Sequence, residues 1–188
     1  SAPPPPTPNP TDLSAPSVPA EPPVATAQPV APAPLTGALP TEFIAVERAV
    51  KDPVLGHDIT VTRLARNLPW PQGTSPAQMA AFELVGVEMR WTPGTTYTAA
   101  IRTVDFALFT GSPFPNRPDP IINAQLAAAL WSLLPAEVSA APATGWIVVK
   151  VDPKAATAIR LDYTRPITAV TGTSTRFPKE TFSIQLVG

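Results

Sequence analysis

The sequence predicts an all-β fold, an antiparallel β-sandwich with one short helix and a disordered proline-rich tail at the N-terminus. The first observation is the distribution of proline: 14 of the 28 prolines fall in residues 1–40, and the other 14 are spread over the remaining 148 residues. The second is that from residue 41 apolar and polar residues alternate over short segments bounded by turn residues, which is the period of half-buried strands. The third is that the leucines of one segment recur at the spacing of one face of a helix.

Residues 1–40 predict an extended stalk. Proline has no backbone N–H and restricts the residue before it, which excludes helix, and the segment has too few apolar residues to offset the entropy of ordering. Only Asp12 and Glu21 are charged there. We therefore expect a disordered tail with polyproline II character, followed by a sandwich domain over residues 41–188. The sequence begins at Ser1 without an apolar leader, so we expect any signal peptide or anchor to lie upstream.

Seven short strands are predicted after the tail, and their number and spacing favour a sandwich. In the third, Val85, Val87 and Met89 share one face, whereas Phe82 and Leu84 belong to the other, so we expect a bulge or bend near Gly86. The fifth is apolar on both faces, which predicts a central strand. The segments are residues 43–49, 59–62, 82–91, 104–108, 147–149, 159–163 and 182–186.

One helix is predicted after Asn123, a suitable N-cap, and Pro135 ends it. Its leucines stand at positions i, i+4, i+7 and i+8, which gives one apolar stripe. We expect the helix to pack this stripe over an end or edge of the sandwich, and the alternative is that it binds a partner. The leucines are Leu126, Leu130, Leu133 and Leu134.

Charge and composition limit the partners. The body holds all 13 basic residues and 12 of the 14 acidic ones, since two lie in the tail, and the balance is 13 − 12 = +1. A near-neutral domain without a basic cluster argues against a nucleic-acid partner. No stretch of 18 apolar residues occurs, so we expect no transmembrane segment in this chain.

No catalytic set is recognisable in the sequence. His57 is the only histidine and no nucleophile motif accompanies it, so we interpret His57 and Asp58 as turn residues. The absence of cysteine and the scattered carboxylates give no metal-ligand spacing, and no glycine-rich phosphate loop occurs. We therefore predict no enzyme activity, no cofactor and no metal. Two carboxylates brought together by folding, as in glycosidases, remain an alternative.

Two loops carry the candidate partner-binding residues. Trp70 lies between Pro69 and Pro71, and Phe114 lies between two further prolines with Arg117 close behind. Aromatic side chains on a proline-stiffened loop lose little freedom on contact with a partner, which suits recognition. The alternative is that both rings fold back and fill the ends of the sandwich. We expect that for at least one of them, and we expect Phe114 to be the more exposed.

The order of the segments resembles a family of bacterial telokin-like, immunoglobulin-like secreted domains of unknown function. It also resembles the related mycobacterial secreted immunogenic protein with an immunoglobulin-like sandwich. The resemblance rests on spaced hydrophobic residues and implies an immunoglobulin-like sandwich, export, and a binding or structural role without catalytic residues. The segments that carry it are residues 56–62 (GHDITVT), 82–91 (FELVGVEMRW), 106–108 (FAL), 145–153 (GWIVVKVDP) and 161–163 (LDY).

Three functions follow as hypotheses. The first is a non-enzymatic exported cell-envelope domain on a flexible stalk, which binds a protein or an envelope component as an accessory subunit. The second is a carboxylate-dependent envelope enzyme acting on carbohydrate or lipid. The third is a subunit of a larger membrane complex, with the proline-rich tail bound along a partner. We expect the protein to be extracellular or in the cell envelope. The sequence leaves the oligomeric state open.

Overall fold

The computed structural model describes residues 34–127 and 132–188. The strands are β1 (Ile44–Lys51), β2 (Asp58–Ala65), β3 (Glu83–Thr92), β4 (Ile101–Arg102), β5 (Phe106–Phe109), β6 (Glu137–Val138), β7 (Ala143–Val151), β8 (Ile159–Arg165), β9 (Thr168–Ala169), β10 (Arg176–Phe177) and β11 (Glu180–Val187). The helices are α1 (Pro76–Ala81), α2 (Pro120–Leu126) and a 3-10 turn at Thr103–Asp105.

The seven longer strands form two antiparallel sheets, which confirms the predicted all-β sandwich. One sheet has the order β1-β2-β3-β7 and the other β11-β8-β5, while β4 pairs with β6 and β9 with β10. The main core lies between the sheets and includes Val85, Val87 and Met89 of β3. At one end, Trp91 of β3 stacks on Phe106 of β5 with 5.1 Å between ring centroids and 3° between ring planes.

A second apolar cluster covers the outer face of the four-stranded sheet. It contains Leu84, Trp146 and Val148 on the sheet, with Leu68 and Trp70 from the loop after β2. β3 is therefore buried on both faces, which explains why its apolar pattern changes phase.

The predicted bulge near Gly86 is absent, since β3 and β7 pair in continuous register from Glu83 to Trp91. A Cβ atom at position 86 would lie 3.1 Å from Leu68 Cδ1 and 3.2 Å from Trp146 Cε3. Gly86 thus makes room for the second cluster. The register shift lies on the neighbouring strand, between Val61 and Arg63 of β2.

β7 is buried on both faces as expected, but it lies at the edge of its sheet. Its free edge is covered by irregular chain. Trp146 N–H donates to the Ser132 carbonyl at 2.9 Å, and Leu134 N–H donates to the Trp146 carbonyl at 2.9 Å. The Asn123 side-chain amide accepts from Val148 N–H at 3.1 Å and donates to the Val148 carbonyl at 2.9 Å. The backbone groups at this edge of β7 are therefore hydrogen-bonded although no further strand pairs with it.

The predicted helix is displaced towards the N-terminus. α2 begins after Asp119, whose side chain accepts from Ile121 N–H and Ile122 N–H at 2.9 and 3.1 Å, so Asn123 lies inside the helix. Residues 128–131, with Leu130, lie outside the described residues. Leu134 is in the main core and pairs with β7 rather than continuing a helix. Pro120 at the first helical position, with an aspartate before it, is the better helix start.

The chain before β1 already contacts the domain. Leu35 forms an isolated antiparallel bridge with Pro71, and Thr36 N–H donates to the Trp70 carbonyl at 2.8 Å. Leu35, Leu39 and Phe43 pack against the second cluster. These residues, except Phe43, belong to the segment that the sequence assigns to the tail; residues 1–33 lie outside the described part.

Candidate partner-binding surface

Residues 110–119 connect β5 to α2, and we call them the proline loop. Asn116 holds the loop at its centre. Its backbone N–H and carbonyl pair with Leu108 at 2.8 and 2.7 Å, and its side-chain amide donates to the Leu108 carbonyl and accepts from Asp152 N–H. Pro118 forms a bridge with Val149 of β7. Both sheets thus fix the loop, and the three prolines within it reduce its freedom further.

Phe114 lies at the exposed part of the proline loop. Its side chain is 76% exposed, and its backbone N–H donates to Ser112 Oγ at 3.2 Å. Two other large apolar side chains next to the loop are also exposed: Val104 at 63% and Ile121 at 69%. Exposed apolar side chains are characteristic of an interaction site where they form a patch, whereas single ones are ordinary. We call Val104, Phe114 and Ile121 the apolar triplet.

Arg117 has a structural contact. Its guanidinium donates through Nη1 to the Val104 carbonyl at 3.1 Å, and so joins the proline loop to the 3-10 turn. The residue itself is exposed. Arg117 therefore carries a positive charge near the surface while it fixes Val104 relative to the loop that bears Phe114.

An apolar cavity of about 220 Å³ lies beside Val104, between the 3-10 turn and the start of α2. Pro118 and Pro120 form one wall, and Leu134 and Ile147 of the main core lie among its other lining residues. Asn123 also lines it, but both polar ends of that amide are bound to Val148. The cavity is an apolar recess beside one member of the apolar triplet, Val104, whereas Ile121 lines a different recess together with Trp70.

Trp70 occupies a different environment from Phe114. It is 8% exposed and belongs to the second cluster together with Leu68, Leu84 and Trp146. Its backbone N–H donates to Thr36 Oγ1 at 3.0 Å. The ring therefore fills the outer face of the four-stranded sheet. The structure does not bring Trp70 and Phe114 into one surface.

His57 lies between β1 and β2, where the sequence predicts a turn, and its side chain is fully buried. The imidazole Nδ1 accepts a hydrogen bond from Gly94 N–H at 3.0 Å. Burial lowers the pKa of His57, and this outweighs the opposing effect of Asp52 and Asp105. No residue with a side chain can replace Gly94, because a Cβ atom there would lie 1.8 Å from the Leu55 carbonyl oxygen.

The buried carboxylates of the sandwich are bound to arginines. Glu83 is buried and receives two hydrogen bonds from Arg66, at 2.6 and 2.7 Å, and one each from the backbone N–H of Asn67 and Ala155. Burial by itself would raise the pKa of Glu83, but these hydrogen bonds outweigh it and lower the pKa. The Arg63 guanidinium likewise lowers the pKa of Glu88.

A carboxylic acid that donates a proton in catalysis needs a raised pKa, and these two have the opposite shift. The other buried carboxylates, Asp52, Asp105 and Asp162, lie 2.6 to 2.8 Å from Arg165, Arg102 and Arg160. Across residues 34–127 and 132–188, no group of three His, Asp or Glu side chains is placed to hold a metal ion. Within the same residues, no helix is long and apolar enough to span a membrane.

The sequence predicts Phe114 and Arg117 as candidates but does not predict the exposure of Val104 and Ile121. The alternation of Val104 with Phe106 and Leu108 predicts the apolar face of a strand. In the structure Val104 lies in the 3-10 turn, which rotates its side chain outwards. Ile121 follows Pro120 at the helix start, and the sequence signal that could have revealed it is the Asp119–Pro120 capping pair.

The chain matches no family model, and no curated protein matches it. Solved structures with a similar fold include a protein of unknown function from Listeria monocytogenes EGD-e. It is 11% identical, the alignment covers 80% of this chain and 88% of that chain, and the TM-score is 0.50. At this identity the similarity concerns the fold alone.

A second structure, from Bacillus subtilis subsp. subtilis str. 168, is provisionally described as a lipoprotein (ycdA). It is 14% identical with a TM-score of 0.46, and the alignment covers 76% of this chain and 39% of that chain. This chain thus aligns with less than half the length of that protein.

Proposed function

We propose that the protein is a non-enzymatic exported domain of the cell envelope that binds a protein or an envelope component through the apolar triplet. The observation that carries this proposal is Phe114, which is 76% exposed on a loop that Asn116 and Pro118 tie to both sheets. A fixed backbone avoids the entropic cost of ordering a loop on binding. Truncation of such an aromatic anchor typically costs about 2 kcal/mol or more of binding free energy.

Export and a stalk are supported by the composition of the tail. Residues 1–40 contain 14 prolines and no lysine or arginine, a composition typical of extended spacers. A spacer of this kind holds a domain away from the surface to which it is attached. The resemblance to telokin-like and mycobacterial immunoglobulin-like secreted domains favours the same location.

The absence of enzyme activity is proposed on electrostatic grounds. Carboxylates that lie against arginines stay ionised, and Glu83 and Glu88 both have lowered pKa values. A glycosidase needs one acid with a raised pKa opposite a second carboxylate. We propose that the buried acids of this domain stabilise the fold by holding arginines.

The binding surface can be tested by photo-crosslinking in the native cell envelope. Benzoylphenylalanine replaces Phe114 in one variant and Ile167 in a matched control, since Ile167 is a comparably exposed apolar residue at 68% that lies in a different loop. We expect a discrete crosslinked species from position 114 and none from position 167. Equal crosslinking at both positions, or none at either, would contradict the proposed surface.

Competition makes the test quantitative. Excess unlabelled wild-type protein should abolish the crosslink at position 114, and the Ile167→Ala variant should compete equally well. Phe114→Ala should compete about thirtyfold more weakly, the factor that corresponds to about 2 kcal/mol. Undiminished competition by Phe114→Ala would show that the ring is not an anchor.

A further inference from the structure

Four buried polar atoms in the described part of the chain have no hydrogen-bond partner there. They are Asp52 Oδ2, His57 Nε2, Trp91 Nε1 and Tyr163 Oη. The side chains of Asp52, His57 and Trp91 belong to fully buried residues, and Tyr163 is 1% exposed. Most buried side-chain polar atoms in proteins have a partner, and leaving one unpaired is costly. Four such atoms in one domain require an explanation.

The four atoms belong to the same end of the sandwich. Asp52 and His57 flank the turn between β1 and β2, where Asp52 N–H donates to the His57 carbonyl at 2.8 Å. Trp91 pairs with Ile59, two residues after His57, and Tyr163 lies near the end of β8. His57 and Tyr163 also share Asp52, Asp105 and Arg165 as charged neighbours. Asp52 contacts Arg165, which lies two residues after Tyr163 on β8, at 2.6 Å.

Phe106 links Trp91 to this region. Its ring lies 5.1 Å from that of Trp91 and 5.3 Å from that of Tyr163, measured between centroids. The four unpaired atoms therefore come from both sheets and from the turn between β1 and β2.

The donor and acceptor properties of the four atoms are complementary to those of water. His57 Nδ1 accepts from Gly94 N–H, so in the neutral imidazole the proton is on Nε2, which donates. Trp91 Nε1 can only donate, and the Asp52 side chain, which pairs with Arg165, accepts. The Tyr163 hydroxyl can do either. A water molecule accepts two hydrogen bonds and donates two, which matches two N–H donors, one carboxylate and one phenol.

We propose that Asp52, His57, Trp91 and Tyr163 form a closed polar site between the sheets that binds a single water molecule. Buried waters typically make about three hydrogen bonds to groups that would otherwise be unsatisfied. The site is expected to hold the water through at least three of the four atoms.

Ions fit this site less well than water. An anion would face the carboxylates of Asp52 and Asp105, while a cation would face Arg165 and the two N–H donors. The neighbouring charges of both signs favour a neutral ligand that can donate and accept. The water would connect the turn between β1 and β2 with β3 and β8, and so add hydrogen bonds between the sheets to the ion pair of Asp52 with Arg165.

A crystal structure of the full chain that shows ordered solvent tests the site directly. We expect one water oxygen about 2.7–3.2 Å from at least three of the four atoms. In solution, the side-chain N–H protons of Trp91 and His57 should both show cross-relaxation with a long-lived water. Direct hydrogen bonds among the four side chains, with no solvent density between them, would overturn the proposal. So would the absence of water cross-relaxation at both protons.

A pair of tyrosine variants provides the matched control. Tyr163→Phe removes one of the four atoms, whereas Tyr97→Phe removes the same hydroxyl from a partly exposed tyrosine that packs on Phe177. We expect exchange of the His57 Nε2 proton with solvent to accelerate about fivefold in Tyr163→Phe, the factor for one ordinary hydrogen bond, and to stay unchanged in Tyr97→Phe. Equal exchange in both variants would contradict a shared water. If Tyr163→Phe does not fold, the ordered solvent and the water cross-relaxation of the wild-type protein test the proposal.

Discussion

Trp70 and Phe114 have the same sequence context, an aromatic residue between two prolines, and opposite environments. Trp70 is 8% exposed in the second cluster and Phe114 is 76% exposed on the proline loop. Proline on both sides stiffens the backbone without setting which way the ring points. The direction depends on whether another apolar surface lies within reach, and for Trp70 that surface is Leu68, Leu84 and Trp146.

Alanine at the two positions should therefore affect stability differently. Trp70→Ala leaves a cavity under the outer face of the sheet and should lower the free energy of unfolding by about 3–5 kcal/mol. Phe114→Ala removes a ring that is already in water, and the change should stay within about 0.5 kcal/mol. Urea denaturation of both variants measures the difference. A loss of several kcal/mol for Phe114→Ala would show that the ring is buried in solution.

His57 makes the stability of the domain depend on pH. Its Nδ1 accepts from Gly94 N–H, so protonation must break that hydrogen bond and place a charge among Asp52, Asp105 and Arg165. Burial lowers the pKa of His57 from its ordinary value of 6.5, which means that the unfolded chain binds this proton more readily than the folded one. The stabilising contribution is thus complete above about pH 6.5 and is lost as the pH falls below that value.

We expect the free energy of unfolding to decrease between pH 7 and pH 5, by at most about 1.4 kcal/mol per pH unit for this one proton. The lowered pKa of Glu83 and Glu88 adds a further loss only as the pH falls through their ordinary value of 4.5. His57→Gln does not titrate, so its stability should be nearly constant between pH 7 and pH 5. Chemical denaturation at several pH values measures this dependence. Equal slopes of the free energy of unfolding against pH for the wild type and His57→Gln would contradict the assignment to His57.

Among the elements, β7 shows how an edge strand can be closed without another strand. Unpaired backbone groups at a buried edge are costly, and a side-chain amide can replace a strand because it has one donor and one acceptor side. Asn123 does this for Val148, from the second turn of α2. The short helix is therefore positioned by β7 as well as by its own apolar residue, Leu126, in the second cluster.

Asn123→Ala should destabilise the domain by about 1–3 kcal/mol, because it leaves the buried N–H and carbonyl of Val148 unpaired. Alanine is the better helix former, so helix propensity acts in the opposite direction. Gln125→Ala, in the same helix, is the control and should be neutral or slightly stabilising. Thermal unfolding of the two variants compares them. Equal melting temperatures would show that water or another group replaces the amide.

At the scale of the whole molecule, residues 35–39, which precede the predicted domain boundary at residue 41, contact the sandwich. Leu35 and Leu39 pack on the second cluster, and Thr36 hydrogen-bonds with Trp70 in both directions. Residues 35–39 thus pack on the outer face of the four-stranded sheet. Deletions at two positions separate the tail from this contact segment.

Removal of residues 1–33 should leave the melting temperature nearly unchanged. Removal of residues 1–40 also takes away two leucines that pack on the second cluster, which should lower stability by about 1–3 kcal/mol. That corresponds to a decrease of about 2–12 °C in the melting temperature for a domain of this size. Calorimetry on both truncated proteins measures it. A large decrease after removal of residues 1–33 would mean that the tail packs on the domain.

The sequence by itself determined the seven longer strands and most of their inward faces, with Val104 as the exception. Alternation is a local property, and burial of one face between two sheets is enough to require it, so the pattern alone assigns Val85, Val87 and Met89 to the main core.

Only the tertiary structure decided the features that depend on contacts distant in sequence. Gly86 faces Trp146, 60 residues later, so its role is packing space and not a bulge. Asn123 hydrogen-bonds with the backbone of Val148 instead of capping a helix, because β7 lies at the edge of its sheet. His57 is buried because Gly94 closes on it. In each case the stabilising contact is with a partner whose position is set by the packing of the two sheets. No local sequence pattern contains that information.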